Sequence, residues 1–567
     1  KELRRIEMAV FEAMEALSGG SGTPIFPDDQ NEMFTKPGQQ KLAAPSGQQE
    51  IFMSGIRLSQ LYGIEIDDFA HEIAQLSLWL AEHQMNAAFR ERFGYAEPAL
   101  PLGQSGNIIK HNALNMDWDD FCPKRPGDEI YICGNPPFLG KSKLSQEQRS
   151  EQRNVLQKIK NCNDLDYCAN WLFLASNFAY STGSDVALVA TSSVTQGEQV
   201  PILWDFILNN IPVSILFAFR SFKWSNAAKE SAGVYCVVIG ITSNTNSYKN
   251  KYIYTVGKEG KTWKESVDNI SPYLTGKSNT IVKKRNTPFL SYPTMKCGCK
   301  PSDGGNLILS PLTAEMICQK DPSLGAWIYN YIGTDEMLFS KKRYCLWIED
   351  AEANQAADNK LLSEIMEKVR SFRISSSAKP TREMAAKPHA FFFRNKPTDE
   401  YIAVPEVSTP SRDYLPIGKL TKRDVPNNKL FIIPFFDYFI FGILGSVIHR
   451  DWLALVGGRL GNSFNYSATV VYNTFPWPSC TDAQREHIES LAEEILLARE
   501  ETFDWTMAEM YDPDKMPPNL LKAHQDLDEA VERLYRDKPF RDTAERQEYL
   551  LARYAELIEQ EKRGQRV

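Results

Sequence analysis

The sequence predicts an α/β chain in three parts: an open sheet flanked by helices, an α+β domain, and a helical C-terminal region. Three observations carry this. Up to residue 243, short apolar β-branched runs alternate with stretches of helical period, as in a sheet whose strands are joined by helical crossovers. From Asn244 to Cys480 the rhythm breaks into short β-rich runs (Tyr252 to Val256, Tyr344 to Trp347, His389 to Arg394, Tyr401 to Pro405) mixed with helical stretches such as Leu361 to Phe372. Beyond Cys480 the helical period is almost unbroken. The expected domains are therefore 1–243, 244–480 and 481–567. A chain of 567 residues with 43% hydrophobic and 24% charged side chains has the length for two to four domains and an ordinary globular composition.

Taken in order, Leu3, Ile6, Val10, Ala13 and Leu17 fall at helical spacing, so the chain opens on a helix. Ser18-Gly19-Gly20-Ser21-Gly22 follows it. With no strand before it and no helix pattern straight after it, that run reads as a flexible loop rather than a nucleotide-binding turn, and residues 23–53 continue as a polar surface loop. Leu58 to Ile66 reads as a strand ending in Glu65-Ile66-Asp67-Asp68. The helix after it has Ala70, Ile73, Leu76, Leu78, Trp79 and Leu80 on its apolar side. A carboxylate at such a strand end can accept two ribose hydroxyls at once, which makes Glu65 a candidate; the alternative is helix capping by Asp67 and Asp68 beside an incidental Glu65.

Ile108 to Leu114 gives the next short strand. Ile130-Tyr131-Ile132 then runs into Cys133-Gly134-Asn135-Pro136-Pro137-Phe138. Two prolines can neither continue a sheet nor enter a helix interior, so the strand stops and the backbone after Asn135 is stiff. Such a turn at a strand's carboxyl end offers an amide, a carbonyl and an aromatic face, groups that suit a flat base with an exocyclic amine. Lys141 to Lys160 is polar, a mobile loop or a solvated helix. Leu165 to Tyr180 is an apolar helix, Asp185 to Thr191 a buried strand, and Val200 to Asn210 a helix. Val213 to Phe219 and Gly233 to Thr242 have no long helical pattern between them, which predicts an antiparallel hairpin closing the sheet.

Composition limits the function classes. No apolar run reaches the length of a membrane span, and no signal peptide opens the sequence. Ten scattered cysteines suit a reducing cytoplasm, and Cys297-Gly298-Cys299 has no second pair at zinc-site spacing, so no metal is expected. The net charge of −8 does not advertise a nucleic-acid binder, but local clusters leave one open: Lys283-Lys284-Arg285, Lys341-Lys342-Arg343, and Lys419 with Lys422-Arg423. Aromatics sit among the cations at Phe391-Phe392-Phe393-Arg394 and Arg343-Tyr344, which suits contact with phosphates and bases and equally suits an aromatic core.

Asn135-Pro136-Pro137-Phe138 after a strand resembles the catalytic motif of amino-group DNA methyltransferases, the adenine-specific ones above all. The wider stretch Gly134 to Ser142 (GNPPFLGKS) is similar to the MmeI-like, type IIL restriction-modification group, which joins methyltransferase, target-recognition and sometimes nuclease parts in one chain. A second set of residues resembles the frame of that group's recognition domain: Phe441-Gly442-Ile443-Leu444, His449, Trp452, Gly457-Gly458-Arg459-Leu460, Tyr466-Ser467 and Tyr472-Asn473-Thr474-Phe475-Pro476.

The resemblance implies a Rossmann-like class I methyltransferase sheet, S-adenosylmethionine as cofactor, and an adenine flipped out of double-stranded DNA as substrate. It gives Asn135, Pro136, Pro137 and Phe138 the catalytic positions and supports Glu65 as a ribose ligand. Asn112 would contact the cofactor's adenine, and Phe222 or Trp224 would stack on the extruded base. Arg459, Asn462 and Asn465 are the residues expected to read sequence, since Arg and Asn make bidentate contacts to guanine and adenine. One departure is expected to matter. The family's Asp-Pro-x-x-Gly-x-Gly cofactor turn is absent, and Glu2-Leu3-Arg4-Arg5-Ile6-Glu7 resembles the helix that follows it, so the sheet is expected to lack its first strand. A nuclease domain could precede Lys1. The other expectations are a DNA-binding fragment without activity and, because the motif core is shared, a protein-glutamine methyltransferase.

Overall fold

The computed structural model describes residues 1–17, 53–93, 96, 106–224, 234–244, 248, 250–257 and 260–564. The glycine run 18–22 and nearly all of the loop 23–53 lie outside the described residues. The chain divides into two compact units: Lys1–Ile132 with Ser145–Val155 and Asn177–Asp185, and Cys133–Leu144 with Leu156–Ser176 and Val186–Val567.

In the first unit, helix α1 (Glu2–Leu17) is followed by β1 (Tyr62–Glu65), α2 (Asp68–Phe93) and β2 (Asn107–Lys110). β1 and β2 pair in parallel, with Glu65 opposite Lys110, and α2 supplies the crossover that a parallel pair needs. Phe11 of α1 packs edge-on against Phe89 and Phe93 of α2, at 6.1 and 6.0 Å between ring centroids. Arg4, buried beside them, donates to Asn86 Oδ1 at 2.9 Å. Both strands are shorter than the sequence predicts. Residues 58–60 form a 3₁₀ turn, and β2 stops at Lys110 because Asn112 caps another such turn over Ala113–Asn115, accepting from the Leu114 amide. Within the polar stretch 141–160, Gln146–Val155 is helical (α3).

The chain leaves the first unit within β3 (Tyr131–Gly134). A six-stranded sheet runs in the order β3-β4-β6-β5-β7-β8, with β4 Asp185–Thr191, β5 Ser214–Trp224, β6 Val234–Thr242, β7 Lys251–Val256 and β8 Thr262–Val267. Helix α4 (Ala169–Thr182) precedes β4 and α5 (Gln199–Asn210) follows it. Alternation along β4 buries Val186, Leu188 and Ala190, and α5 buries Val200, Leu203, Trp204 and Ile207. β5 and β6 form the predicted antiparallel pair, with a bulge between Phe219 and Phe222. The sheet does not stop at residue 243. β7 lies parallel to β5 with Tyr254 stacked on Phe219 at 4.6 Å, and β8 pairs with β7, so the outer edge of β5 is covered rather than exposed.

The α+β region is built from small sheets. Strands β9 (Lys296–Cys297), β10 (Ile308–Leu309), β11 (Ile328–Ile332), β12 (Tyr344–Leu346), β13 (Tyr401–Pro405), β14 (Val407–Ser408), β15 (Gly418–Leu420), β16 (Asp424–Pro426), β17 (Leu430–Ile433), β18 (Gly458–Leu460) and β19 (Ser463–Asn465) join in three sets: β10-β12-β11-β16, β15-β13-β17-β9 and β14-β19-β18. The helix predicted near Leu361 is α6 (Lys360–Ile374), capped by Asn359. His389 to Arg394 is not a strand; among the described residues only Phe393 makes a bridge there, to Lys300. The reason is Arg373 of α6. Its buried guanidinium collects the carbonyls of Pro301, Ser302, Met384, Lys387 and Ala390, and that turns the chain where a ladder would need it extended.

Two short apolar helices, α7 (Tyr438–Gly445) and α8 (Val447–Val456), meet at 57° and are mostly buried. Among the described residues no single helix is long and apolar enough to cross a membrane. The C-terminal helices are α9 (Asp482–Glu500), α10 (Pro518–Tyr535) and α11 (Thr543–Lys562). Gly442 lets α7 approach α9 and α10 closely: a Cβ there would stand 3.2–3.3 Å from Ile488, Ala492 and Leu527.

Candidate active site

In the second unit, β3 ends at Gly134, where a Cβ would come within 3.2 Å of Leu188 on β4. Asn135 is then exposed, Pro136 buried, Pro137 exposed and Phe138 half-buried. The turn is fixed from behind, since the Leu139 amide donates to the Pro137 carbonyl at 3.2 Å and the Leu139 carbonyl accepts from the Tyr167 amide at 2.9 Å. Among the described residues, neither the Asn135 amide nor the Pro136 carbonyl has a hydrogen-bond partner. A stiff backbone thus carries two acceptors without a partner among the described residues.

Asp166 lies beside this turn. Its buried carboxylate accepts from Thr191 Oγ1 at 2.9 Å and from Ser193 Oγ, and its amide donates to Gln199 Oε1 at 3.0 Å. In the sequence Asp166 falls at the start of the apolar stretch Leu165 to Tyr180, where no motif marks it, and the helix itself begins at Ala169. The signal was an acid at the start of an otherwise apolar stretch, opposite a Thr-Ser-Ser strand end.

Phe222 and Trp224 occupy alternate positions near the end of β5, opposite Cys236 and Val234, with ring centroids 6.1 Å apart and planes at 44°. Both rings are half-buried.

Glu65 and Asn112 belong to the first unit, at the carboxyl ends of paired β1 and β2. Glu65 Oε1 accepts from the amides of Ile66 (2.9 Å) and Asp67 (3.1 Å), leaving Oε2 without a partner among the described residues. Asp67 caps α2 through the Ala70 amide, and Asp68 pairs with Lys110 at 2.7 Å, so capping and a free Glu65 oxygen coexist. Asn112 is held at both ends of its amide: Oδ1 accepts from Leu114 at 2.9 Å, and Nδ2 donates to Glu151 Oε1 at 2.7 Å. An amide oxygen has two lone pairs, so Oδ1 retains one acceptor site, and Leu114 and Glu151 together fix which end of the amide offers it.

Arg459, Asn462 and Asn465 lie on the β18–β19 hairpin, which turns at Gly461 (φ +62°) and Asn462. Arg459 pairs with Phe464, and Gly458 with Asn465. Arg459 and Asn465 therefore project from opposite faces, and Asn462 is exposed at the tip; the three do not form one cluster. The Arg459 guanidinium lies 4.0 Å from the centre of the Phe464 ring and donates to the Ala454 carbonyl at 3.3 Å. It has no carboxylate partner among the described residues, and burial, with Arg450 adding to it, lowers its pKa to about 10. The hairpin starts against the catalytic sheet: a Cβ on Gly197, in the turn after β4, would come within 3.1 Å of Gly458 Cα.

Three family models match the chain in sequence: the DNA-methyltransferase domain of MmeI over residues 1–255, the MmeI target recognition domain over 276–479, and the MmeI C-terminal domain over 480–560. DNA methyltransferase A of Bacillus subtilis (strain 168) is 36% identical over 560 residues, which cover 99% of this chain and 60% of that protein. The chain thus spans about three-fifths of this relative's length. A solved structure of the type IIL restriction-modification enzyme MmeI in complex with DNA superposes with a TM-score of 0.80 at 36% identity, covering 92% of this chain and 69% of that one.

Proposed function

The chain belongs to the MmeI family of type IIL restriction-modification DNA methyltransferases, and from that premise we propose that it methylates the exocyclic amine of an adenine flipped out of duplex DNA, with S-adenosylmethionine as donor. The observation that carries this reading is the unpartnered pair of acceptors, Asn135 Oδ1 and the Pro136 carbonyl, on a turn stiffened by Pro136 and Pro137. An aromatic amine is a poor nucleophile because its lone pair is delocalised into the ring. Two acceptors that bind both amine hydrogens favour the geometry in which that lone pair is concentrated for attack. Phe138 offers one face for stacking, and Phe222 or Trp224 the other. Positioning and fixed dipoles of this kind are each worth roughly a few kcal/mol.

The first unit's residues fit the cofactor. Glu65 Oε2 is an open acceptor for a ribose hydroxyl, and Asn112 Oδ1 keeps a lone pair for an adenine amine. S-adenosylmethionine bound there supplies an electrophilic methyl group. No protein nucleophile is required: Cys168 is buried, and burial pushes its thiol up to about 11. Arg459 supports a sequence-reading role because its cation has no carboxylate to satisfy it.

The test is transfer of tritiated methyl groups to duplex DNA. The protein should label DNA, and Asn135→Ala should abolish labelling while duplex affinity stays within a few-fold. Labelling by the variant at the wild-type rate would remove the motif from the chemistry.

A further inference from the structure

The sheet β10-β12-β11-β16 carries a chain of alternating cations and rings that the proposed catalytic and base-reading roles leave unused. Arg423 lies 4.5 Å from the centre of the Tyr329 ring; Lys396 lies 5.2 Å from Tyr329 and 5.8 Å from Trp347; Arg394 lies 4.6 Å from Trp347. The register explains the alignment. Ile328 pairs with Leu346, so Tyr329 and Trp347 are diagonal neighbours on one face, and Arg423 precedes β16 beside Tyr329.

The charges on this face are not balanced. Arg394 is paired with Glu349 at 2.6 Å. Lys396 and Arg423 have no carboxylate within ion-pair distance among the described residues. The Lys396 ammonium donates to the carbonyls of Pro397 (3.4 Å) and Lys422 (3.2 Å), and Arg423 donates to that of Ile328 (3.4 Å). Burial lowers the Lys396 pKa; Glu349 opposes this, and Arg423 adds a smaller lowering. Lys422, next to Arg423 in sequence, is exposed and has no ion pair among the described residues. Rings hold these side chains in fixed places, so much of the rotamer entropy of binding an anion is already lost. Lys396 and Arg423 flank one ring with only carbonyl partners within hydrogen-bond distance among the described residues, so a phosphate could approach either cation without displacing a carboxylate.

We propose that the Arg423–Tyr329–Lys396 face is a sequence-independent docking surface for the phosphodiester backbone of duplex DNA, with Lys396 and Arg423 each contacting phosphate. This rests on the function proposed above and adds to it a division of labour: Arg459 discriminates bases, and this face fixes orientation on the duplex.

Equilibrium binding of the intact protein to a target duplex and to an unrelated duplex, across roughly 50 to 200 mM salt, tests it. For Arg423→Gln and Lys396→Gln the slope of log affinity against log salt should fall by about 1 each, and affinity should fall by the same factor on both duplexes. Lys396→Arg should keep the slope, which separates charge from packing. A wild-type slope in the double variant, with wild-type duplex binding intact, overturns this assignment alone. Failure of the wild-type protein to bind any duplex overturns the DNA reading and this assignment with it. Polyglutamate that displaces no duplex yet binds in a Lys396-dependent way would assign the face to an acidic protein and likewise overturn it.

Discussion

Asn112 donates a 2.7 Å hydrogen bond from Nδ2 to Glu151 Oε1, which together with the Leu114 amide on Oδ1 fixes the orientation of its amide. If the open lone pair on Oδ1 serves the cofactor's adenine, Glu151 is a positioning residue. Glu151→Ala should weaken S-adenosylmethionine binding several-fold by calorimetry, and Asn112→Ala should weaken it further. Adding Glu151→Ala to Asn112→Ala should then change little, because the two act through one contact.

Arg459, stacked on Phe464 with no carboxylate partner among the described residues, should govern discrimination rather than folding. Arg459→Ala is expected to cost about 1–3 kcal/mol of preference at one base pair, read as relative methylation rates over a panel of singly altered targets. Melting temperature should change little. Equal losses on every altered target would show a phosphate contact instead.

Asp166 accepts from two hydroxyls and lies next in sequence to Tyr167, which anchors the carbonyl of Leu139. Asp166→Ala leaves Thr191 and Ser193 short of a partner, a loss of about 1–3 kcal/mol in denaturant unfolding. If the Asn135 turn is catalytic as proposed, the variant should lower kcat more than it raises KM, because that turn loses a support. Asp166→Asn should restore most of the stability.

Asp528 in α10 accepts from the Val447 amide and the Tyr414 hydroxyl, both at 2.8 Å, with Glu532 and Arg546 facing it. Burial is the main cause that raises its pKa to about 7, against an ordinary value of 3.8. Between these values the unfolded chain has released the proton and the folded protein has kept it, so stability falls as pH rises from about 4 to 7, by up to about 1.4 kcal/mol per unit. Asp528→Asn should flatten this part of the curve, measured by thermal unfolding across pH, and should be the more stable protein at pH 8.

The parts of this molecule legible in the sequence are those set by local pattern. β4, α5 and the β5–β6 hairpin follow from apolar period, and the turn at Asn135 from two prolines. Elements decided by distant partners were not legible. His389 to Arg394 has strand-like composition, but Arg373, on a helix some twenty residues earlier, takes the Ala390 carbonyl together with those of Met384 and Lys387 just before it. β7 looks like the start of a new domain until the open edge of β5 is seen. Arg459 and Asn465 look alike in sequence, but an antiparallel register puts them on opposite faces. Asp166 carries no motif, and its role depends on hydroxyls that arrive from β4.

The acceptors on Asn135 and Pro136 are proposed to activate an adenine amine. The most direct measurement is mass spectrometry of nucleosides from duplex DNA incubated with the protein and S-adenosylmethionine carrying a labelled methyl group. Label is expected in N6-methyladenine and nowhere else, and is lost with Asn135→Ala. Label in cytosine, or in protein glutamine rather than DNA, would contradict it.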